Sequence, residues 1–194
     1  MNGLLKLSSA IDWLNEKFGR IATWLVLFAC LISAGNAMSR YLFSESSNGW
    51  LEIQWYMFGG IVLLGAPYTL QRNEHVRVDL VYGMVSERTQ IWIDIVGGLL
   101  FLLPICVLLT YFTWPWFVES WHLNESSSNA GGLIRWPVKL LLPVGFALMA
   151  LQGISEIIKR IAFLAGRIDA SQFGRHGGTP ADEIEAIKAA NKLS

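Results

Sequence analysis

The sequence predicts an all-α membrane protein, and three observations support that fold class. The 194-residue chain is 53% hydrophobic and only 15% charged, and its mean hydropathy is +0.42. Ile53 to Leu70 is a run of eighteen residues without a charge, long enough to cross the ~30 Å hydrocarbon core of a bilayer as a helix. Similar runs occur elsewhere in the chain. Because backbone groups in lipid must be hydrogen-bonded within the segment, each run is predicted to be helical.

Four apolar runs predict four transmembrane helices, which together make one transmembrane domain over residues 20–160. The predicted spans are residues 21–42, 50–70, 91–118 and 137–158. Pro104 lies near the middle of the third span. It leaves the carbonyl of Leu100 without its usual donor, so we expect a kink at this point.

Residues 1–19 form an amphipathic segment ahead of the first span. Its apolar residues recur at three- and four-residue steps: Leu4, Leu7, Ile11, Leu14 and Phe18. This spacing predicts a helix lying in the membrane interface. A stripe packed on a partner, or on the protein's own helices, fits the same spacing equally well.

The distribution of cations predicts the orientation of the chain. Ten lie near the ends of the spans on one side: Lys6, Lys17, Arg20, Arg72, Arg77, Arg88, Lys159, Arg160, Arg167 and Arg175. Three lie on the other side: Arg40, Arg135 and Lys139. The positive-inside rule therefore predicts that both termini, including a tail over residues 161–194, are cytoplasmic.

Several classes of chemistry are disfavoured by the residues that the sequence lacks. His75, His122 and His176 all lie outside the predicted spans, which argues against a haem-binding electron carrier. Cys30 and Cys106 are isolated in apolar runs and are interpreted as packing residues. A formal net charge of zero argues against a nucleic-acid partner. No cofactor is expected, and without a Walker, HExxH or GxSxG motif the chain is not expected to be an enzyme.

The middle of each predicted span lacks charged residues. A charge there is costly and usually marks an ion or proton path, so its absence disfavours a transporter that works alone. The sequence therefore predicts a membrane subunit that supports another protein. A stand-alone small exporter or channel, acting as a homo-oligomer, remains the alternative.

The stretch LEIQWYMFGGIVLLGAPYTLQRNEHVRVDLVYG resembles the small permease, or Q (DctQ-type), subunit of tripartite ATP-independent periplasmic (TRAP) transporters. The closing RNEHVRVD carries most of the likeness, together with Glu52 at the start of the helix. SRYLF at 39–43 and SNAGGLIRWPVK at 128–139 are also similar to the family, and together they suggest the subgroup with large tails that takes up organic acids. The resemblance covers Ile21 to Phe163.

The resemblance implies a role within a complex. A large permease (M) subunit would bind the substrate and sodium ions and move as an elevator, and a periplasmic binding protein would deliver the substrate. The small subunit would anchor the large one in the bacterial inner membrane and would carry no substrate site. Sodium is thus expected only in the large partner.

Ten residues are candidates for contacts with other groups. Glu52 and Gln54 are predicted to hydrogen-bond to a neighbouring helix end, and Asn48 is predicted to cap the second span. Four are predicted to fix a cytoplasmic loop by ion pairing or to bind lipid headgroups: Arg72, His75, Arg77 and Asp79. Four are candidate contacts of phospholipids or the binding protein: Arg88, Arg135, Trp136 and Lys139. The plainer alternatives are a capped, solvated Glu52 and a solvated loop after the second span.

Overall fold

The chain folds into a bundle of helices, and the computed structural model describes residues 2–44, 47–75 and 85–168. The helices are α1 (Asn2–Phe43), α2 (Asn48–Gln71), α3 (Glu87–Gly97), a π-helical turn (Gly98–Leu102), α4 (Leu103–His122) and α5 (Trp136–Leu164). Within these residues the only β contact is an isolated bridge between Ser126 and Ile134. The all-α class predicted from the sequence is confirmed.

Three helical stretches of the described chain are long and apolar enough to cross a membrane: Gly3–Phe43, Arg88–His122 and Trp136–Leu164. The 24 residues of α2 would reach about 36 Å, but α2 is not among the three. Gln54 and Pro67, together with several aromatic residues, lower its hydropathy. Four spans therefore remain a prediction.

The N-terminal segment and the first predicted span form one uninterrupted helix of 42 residues. The boundary drawn at residue 19 does not coincide with a break, and the first half of α1 packs on α5. The buried face contains part of the predicted apolar stripe, because Ile11 is buried and Leu14 and Phe18 pack against the core, whereas Leu4 and Leu7 are exposed. Ser8 and Asn15 are buried on the same helix. Of the two interpretations, the structure agrees with packing on the protein's own helices.

The π-helical turn lies directly before Pro104. Leu103 donates its backbone N–H to the carbonyl of Gly98, five residues earlier. Pro104 has no N–H to give, so a wider turn at this point accommodates the missing bond. The sequence predicted a kink at Pro104, and the structure shows a π turn between α3 and α4 at this place. The kink itself stays a prediction.

The middle of the bundle is held by small residues in close contact. Ala22, Leu64 and Leu148 form a buried cluster that joins α1, α2 and α5. A Cβ placed on Gly145 would lie 2.9 Å from the backbone oxygen of Leu63, so glycine permits α5 to approach α2 at this position. Membrane helices commonly pack through such small residues.

The bundle has two distinct ends. The terminal end carries the beginning of α1 and the last turns of α5. The loop end carries the end of α1, the start of α2 and the segment 123–135, which connects α4 to α5.

Candidate functional site

A cluster of polar side chains occupies the terminal end of the bundle, and we call it the polar cluster. It consists of Ser8, Asp12 and Asn15 on α1, Asp94 on α3, and Gln152, Ser155, Glu156, Lys159 and Arg160 on α5. Asn15, Gln152 and Ser155 are fully buried. The two cations are also buried, with Lys159 6% and Arg160 7% exposed.

Asp12 is the main contact of α1 within the polar cluster. Its Oδ1 accepts hydrogen bonds from Gln152 Nε2 at 2.9 Å and from Ser155 Oγ at 2.8 Å. Its Oδ2 lies 3.1 Å from Lys159 Nζ. Neighbouring polar contacts extend the seam: Ser8 Oγ and Ser155 Oγ are 2.7 Å apart, and Asn15 Nδ2 donates to Gln152 Oε1 at 2.6 Å.

Glu156 extends the cluster to α3 by way of Arg160. Its carboxylate lies 2.5 Å from both Lys159 Nζ and Arg160 Nη1. Arg160 Nε in turn donates to Asp94 Oδ2 at 3.1 Å. Each buried cation is therefore shared by two carboxylates, which is the arrangement that makes a buried charge tolerable.

Sequence reasoning missed the polar cluster. The sequence predicts Lys159 and Arg160 only as cations near the end of the last span, whereas both side chains are buried in the bundle. A signal was present, since Gln152, Glu156 and Lys159 recur at a four- and a three-residue step on one face of an otherwise apolar helix. Polar residues at helical spacing within a membrane helix indicate a partner inside the protein.

The polar cluster is suited to joining helices. Its carboxylates are shared with amines, guanidinium groups and amides. Among the described residues, no group of three or more His, Cys, Asp or Glu side chains could hold a metal ion. The chemistry that the cluster supports is the fixation of α1, α3 and α5 to each other.

A second polar contact lies at the loop end, and we call it the loop lock. Glu52 is 4% exposed. Its Oε1 accepts hydrogen bonds from Ser127 Oγ and, at 2.8 Å, from Asn129 Nδ2. Its Oε2 accepts the backbone N–H of Leu133 at 2.7 Å. Glu52 thus holds the 123–135 segment over the start of α2, and it is not the solvated carboxylate of the plainer alternative.

Glu125 makes a second attachment in the same segment. Its carboxylate pairs with Lys139 Nζ and lies 3.5 Å from Arg135 Nη1. The hydrogen bond from Lys139 is the main cause of a lowered pKa for Glu125. Lys139 also lies 4.3 Å above the ring of Trp116, and Trp136 packs edge-to-face on Trp121. Lys139 is therefore engaged within the chain, whereas Arg135 is 41% exposed.

The structure separates the candidate residues into two groups at opposite ends of the bundle. Gln54 donates to the carbonyl of Trp50 within α2, and Asn48 donates to the carbonyl of Ala130 without capping α2. At the terminal end, Arg72 donates from Nε to the hydroxyl of Tyr68 at 3.1 Å. His75 and Arg88 are exposed. Arg77 and Asp79 lie outside the described residues, so their predicted ion pairs stay predictions.

Comparison with known proteins identifies the family. The family described as tripartite ATP-independent periplasmic transporters, DctQ component, matches residues 28–163. The chain is also 25% identical over 180 residues to the C4-dicarboxylate TRAP transporter small permease protein DctQ of Vibrio cholerae serotype O1. That match covers 82% of this chain and 75% of the relative.

The family match contains most of the structural features described above. It includes Glu52 and the loop it holds, the π-helical turn, and the α5 residues of the polar cluster. The resemblance seen in the sequence is thereby confirmed, and the family is one of transport components. The chain belongs to the DctQ family, the small permease component of tripartite ATP-independent periplasmic transporters.

Proposed function

We propose that this chain anchors and stabilises the large, elevator-type permease subunit of a sodium-coupled, binding-protein-dependent TRAP transporter for organic acids. In this proposal the chain has no substrate site, and sodium binds only to the large subunit. The name of the Vibrio relative supports an organic acid as the substrate class.

The observation that carries the proposal is the surface of the second half of α1. Gly35 is exposed there, within a helix long and apolar enough to span a membrane. A groove of about 410 Å³ at this position is lined by Gly35, Asn36 and Ser39 of α1, and also by Trp50 of α2. Lipid tails cannot form hydrogen bonds with a hydroxyl or amide group, whereas small residues let another helix approach closely. This surface therefore suits a partner helix.

The pairing of buried charges within the chain supports the same function. In the described part of the chain, Lys159 and Arg160 pair with buried or half-buried carboxylates at the terminal end, and Lys139 pairs with Glu125 at the loop end. These contacts hold the helices together and leave a rigid body for a partner to pack against. A scaffold needs such rigidity, because an elevator can move only against a stationary element.

In the proposed orientation, the chain lies in the bacterial inner membrane and both of its termini are in the cytoplasm. Burial of some cations does not change the charge bias that supports it. If the buried Lys159 and Arg160 are left out of the ten cations on the predicted cytoplasmic side, and the buried Lys139 out of the three on the opposite side, eight cations remain against two. A reporter enzyme that is active only in the periplasm should be inactive when it is fused to the C-terminus, if this orientation is right.

The anchoring role is tested by co-expressing a tagged chain with the large permease subunit of the proposed transporter. Gly35→Leu should reduce recovery of the large subunit and abolish substrate uptake in vesicles. Val107→Phe adds the same four carbons to an exposed position on α4 (59% exposed) and serves as the matched control. Equal recovery and uptake for the two variants would contradict the assigned surface.

The isolated chain provides the test of transport without a partner. Reconstituted alone in vesicles, it should accumulate no organic acid under a sodium gradient. Accumulation by the chain alone would refute the proposed function and would favour the stand-alone exporter or channel.

A further inference from the structure

An apolar groove runs between α1 and α2 towards the terminal end, and we call it the α1–α2 groove. It has a volume of about 710 Å³, and its walls include Thr23, Val26, Leu27, Cys30, Val62 and Ala66. By the residues that line it, α1 runs along the groove for about 16 Å and α2 for about 12 Å. Small residues on the two helices leave the space open, and its volume lies within the roughly 300–1,000 Å³ of ligand sites.

The groove ends where the two helices come into contact. A Cβ on Gly19 would lie 2.6 Å from Tyr68 Cγ, so the tyrosine ring packs directly on the backbone of α1. Arg72 lies over the same ring, with its guanidinium carbon 5.2 Å from the centroid. The hydrogen bond from Arg72 Nε to the Tyr68 hydroxyl holds this guanidinium at the end of the groove.

A second guanidinium belongs to Arg20, the residue after Gly19, and it interacts electrostatically with Tyr68. Arg20 pairs with Glu16 at 2.8 Å on the exposed surface of α1, and Glu16 also interacts electrostatically with Arg72. The two guanidinium groups therefore carry one positive charge more than the Glu16 carboxylate that they share. His75 borders the same groove.

We propose that the α1–α2 groove binds one acyl chain of an anionic glycerophospholipid, with the phosphate held between Arg20 and Arg72. A bilayer phospholipid presents these two features in this order, an apolar chain along the helices and a negative group at their end. Guanidinium groups bind phosphate oxygens in bidentate geometry, and Arg20 remains accessible because its side chain is 62% exposed. A partner helix would fill the apolar part but would leave the positive charge unmatched.

The test is native mass spectrometry of the purified full-length chain titrated with phosphatidylglycerol or with phosphatidylcholine of identical acyl chains. The wild type should bind phosphatidylglycerol more tightly. The double variant Arg20→Gln/Arg72→Gln should lose about 25-fold in that affinity, since each cation near an anionic surface contributes about fivefold. Arg167→Gln, at an exposed arginine beyond α5, should change it little.

A separate variant tests whether the α1–α2 groove binds the acyl chain. Val62→Trp fills the groove at a position that is 65% exposed, so folding should be retained while binding of both lipids falls. Val107→Trp adds the same bulk to α4 and should leave binding unchanged.

Three outcomes would overturn the proposal. One is equal affinity for the two lipids in the wild type, and another is full phosphatidylglycerol binding by the double variant. The third is binding by the isolated chain that disappears in the complex with the large permease, which would assign the groove to a partner helix. Loss of binding in the double variant and in Val62→Trp, with both controls intact, would support it.

Discussion

The two ends of the bundle are fastened by different chemistry. The polar cluster joins three helices through paired charges, so the loss of one member leaves an opposite charge buried. The loop lock joins a helix to a loop through one carboxylate and neutral donors. The penalty for leaving a buried group unpaired is much larger for a charge than for a neutral donor. The terminal end is therefore expected to be the more sensitive of the two ends to substitution.

The largest effect is expected for Lys159→Met. This change leaves Asp12 and Glu156 short of a cation in a buried site, which should cost about 3–5 kcal/mol. For a chain of this size, the loss corresponds to a drop in Tm of roughly 10 °C. Thermal unfolding in detergent, followed by circular dichroism, measures the effect.

Lys17→Met is the matched control for Lys159→Met. Lys17 is exposed on α1 and lies 5.4 Å from the Trp13 ring centroid. Its removal should change stability by less than about 1 kcal/mol. If the two lysine variants unfold at the same temperature, the polar cluster does not fasten the helices.

The next largest effect should follow from Glu52→Gln. The amide presents one oxygen and one NH₂ to a site that supplies three donors, so at least one buried donor loses its partner. We expect a loss of about 2 kcal/mol. Hydrogen exchange should rise in residues 123–135 while α1 and α5 keep their protection. Glu119→Gln, at an exposed carboxylate of the same end, should leave exchange as in the wild type.

Between the two ends, Gly145→Ala tests whether packing adds to the polar contacts. The new methyl would meet Leu63 Cβ at 2.7 Å and the Leu63 backbone oxygen at 2.9 Å, so α2 and α5 must separate. The expected cost is about 1–3 kcal/mol in the same thermal assay. Gly97→Ala meets no atom within 4 Å and should be neutral or stabilising because alanine favours the helix. Equal stability of both variants would show that this close approach is not required.

The smallest effect concerns Glu125 and acid pH. Its pKa is lowered in the folded protein, so its contribution to stability is present above the unfolded value of about 4.3 and is lost as pH falls through the folded pKa. Fluorescence of Trp121 and Trp136 should therefore change below about pH 4. The Glu125→Gln variant should lack this step. A transition of the same size in that variant would assign the change to another group.

Some of the candidate site was accessible to sequence reasoning. Glu52 was singled out because it opens a long charge-free run, and the structure makes it the centre of the loop lock. Its partners were not predictable, since Ser127, Asn129 and Leu133 lie more than seventy residues away in the chain. Lys139 and Lys159 look alike in the sequence as cations near span ends. In the structure, Lys139 pairs with Glu125, and Lys159 pairs with Asp12 and Glu156. These partners are the reason that both lysine side chains are buried.

The sequence by itself determined the all-α class, the positions of the apolar helices and the disturbance at Pro104. These features depend on local chemistry, namely hydropathy over about twenty residues and one missing N–H. The tertiary structure decided which face of α1 is buried and which charges lie inside. Asp12 and Lys159 are 147 residues apart, and a buried charge is stable only where such a distant partner is brought to it.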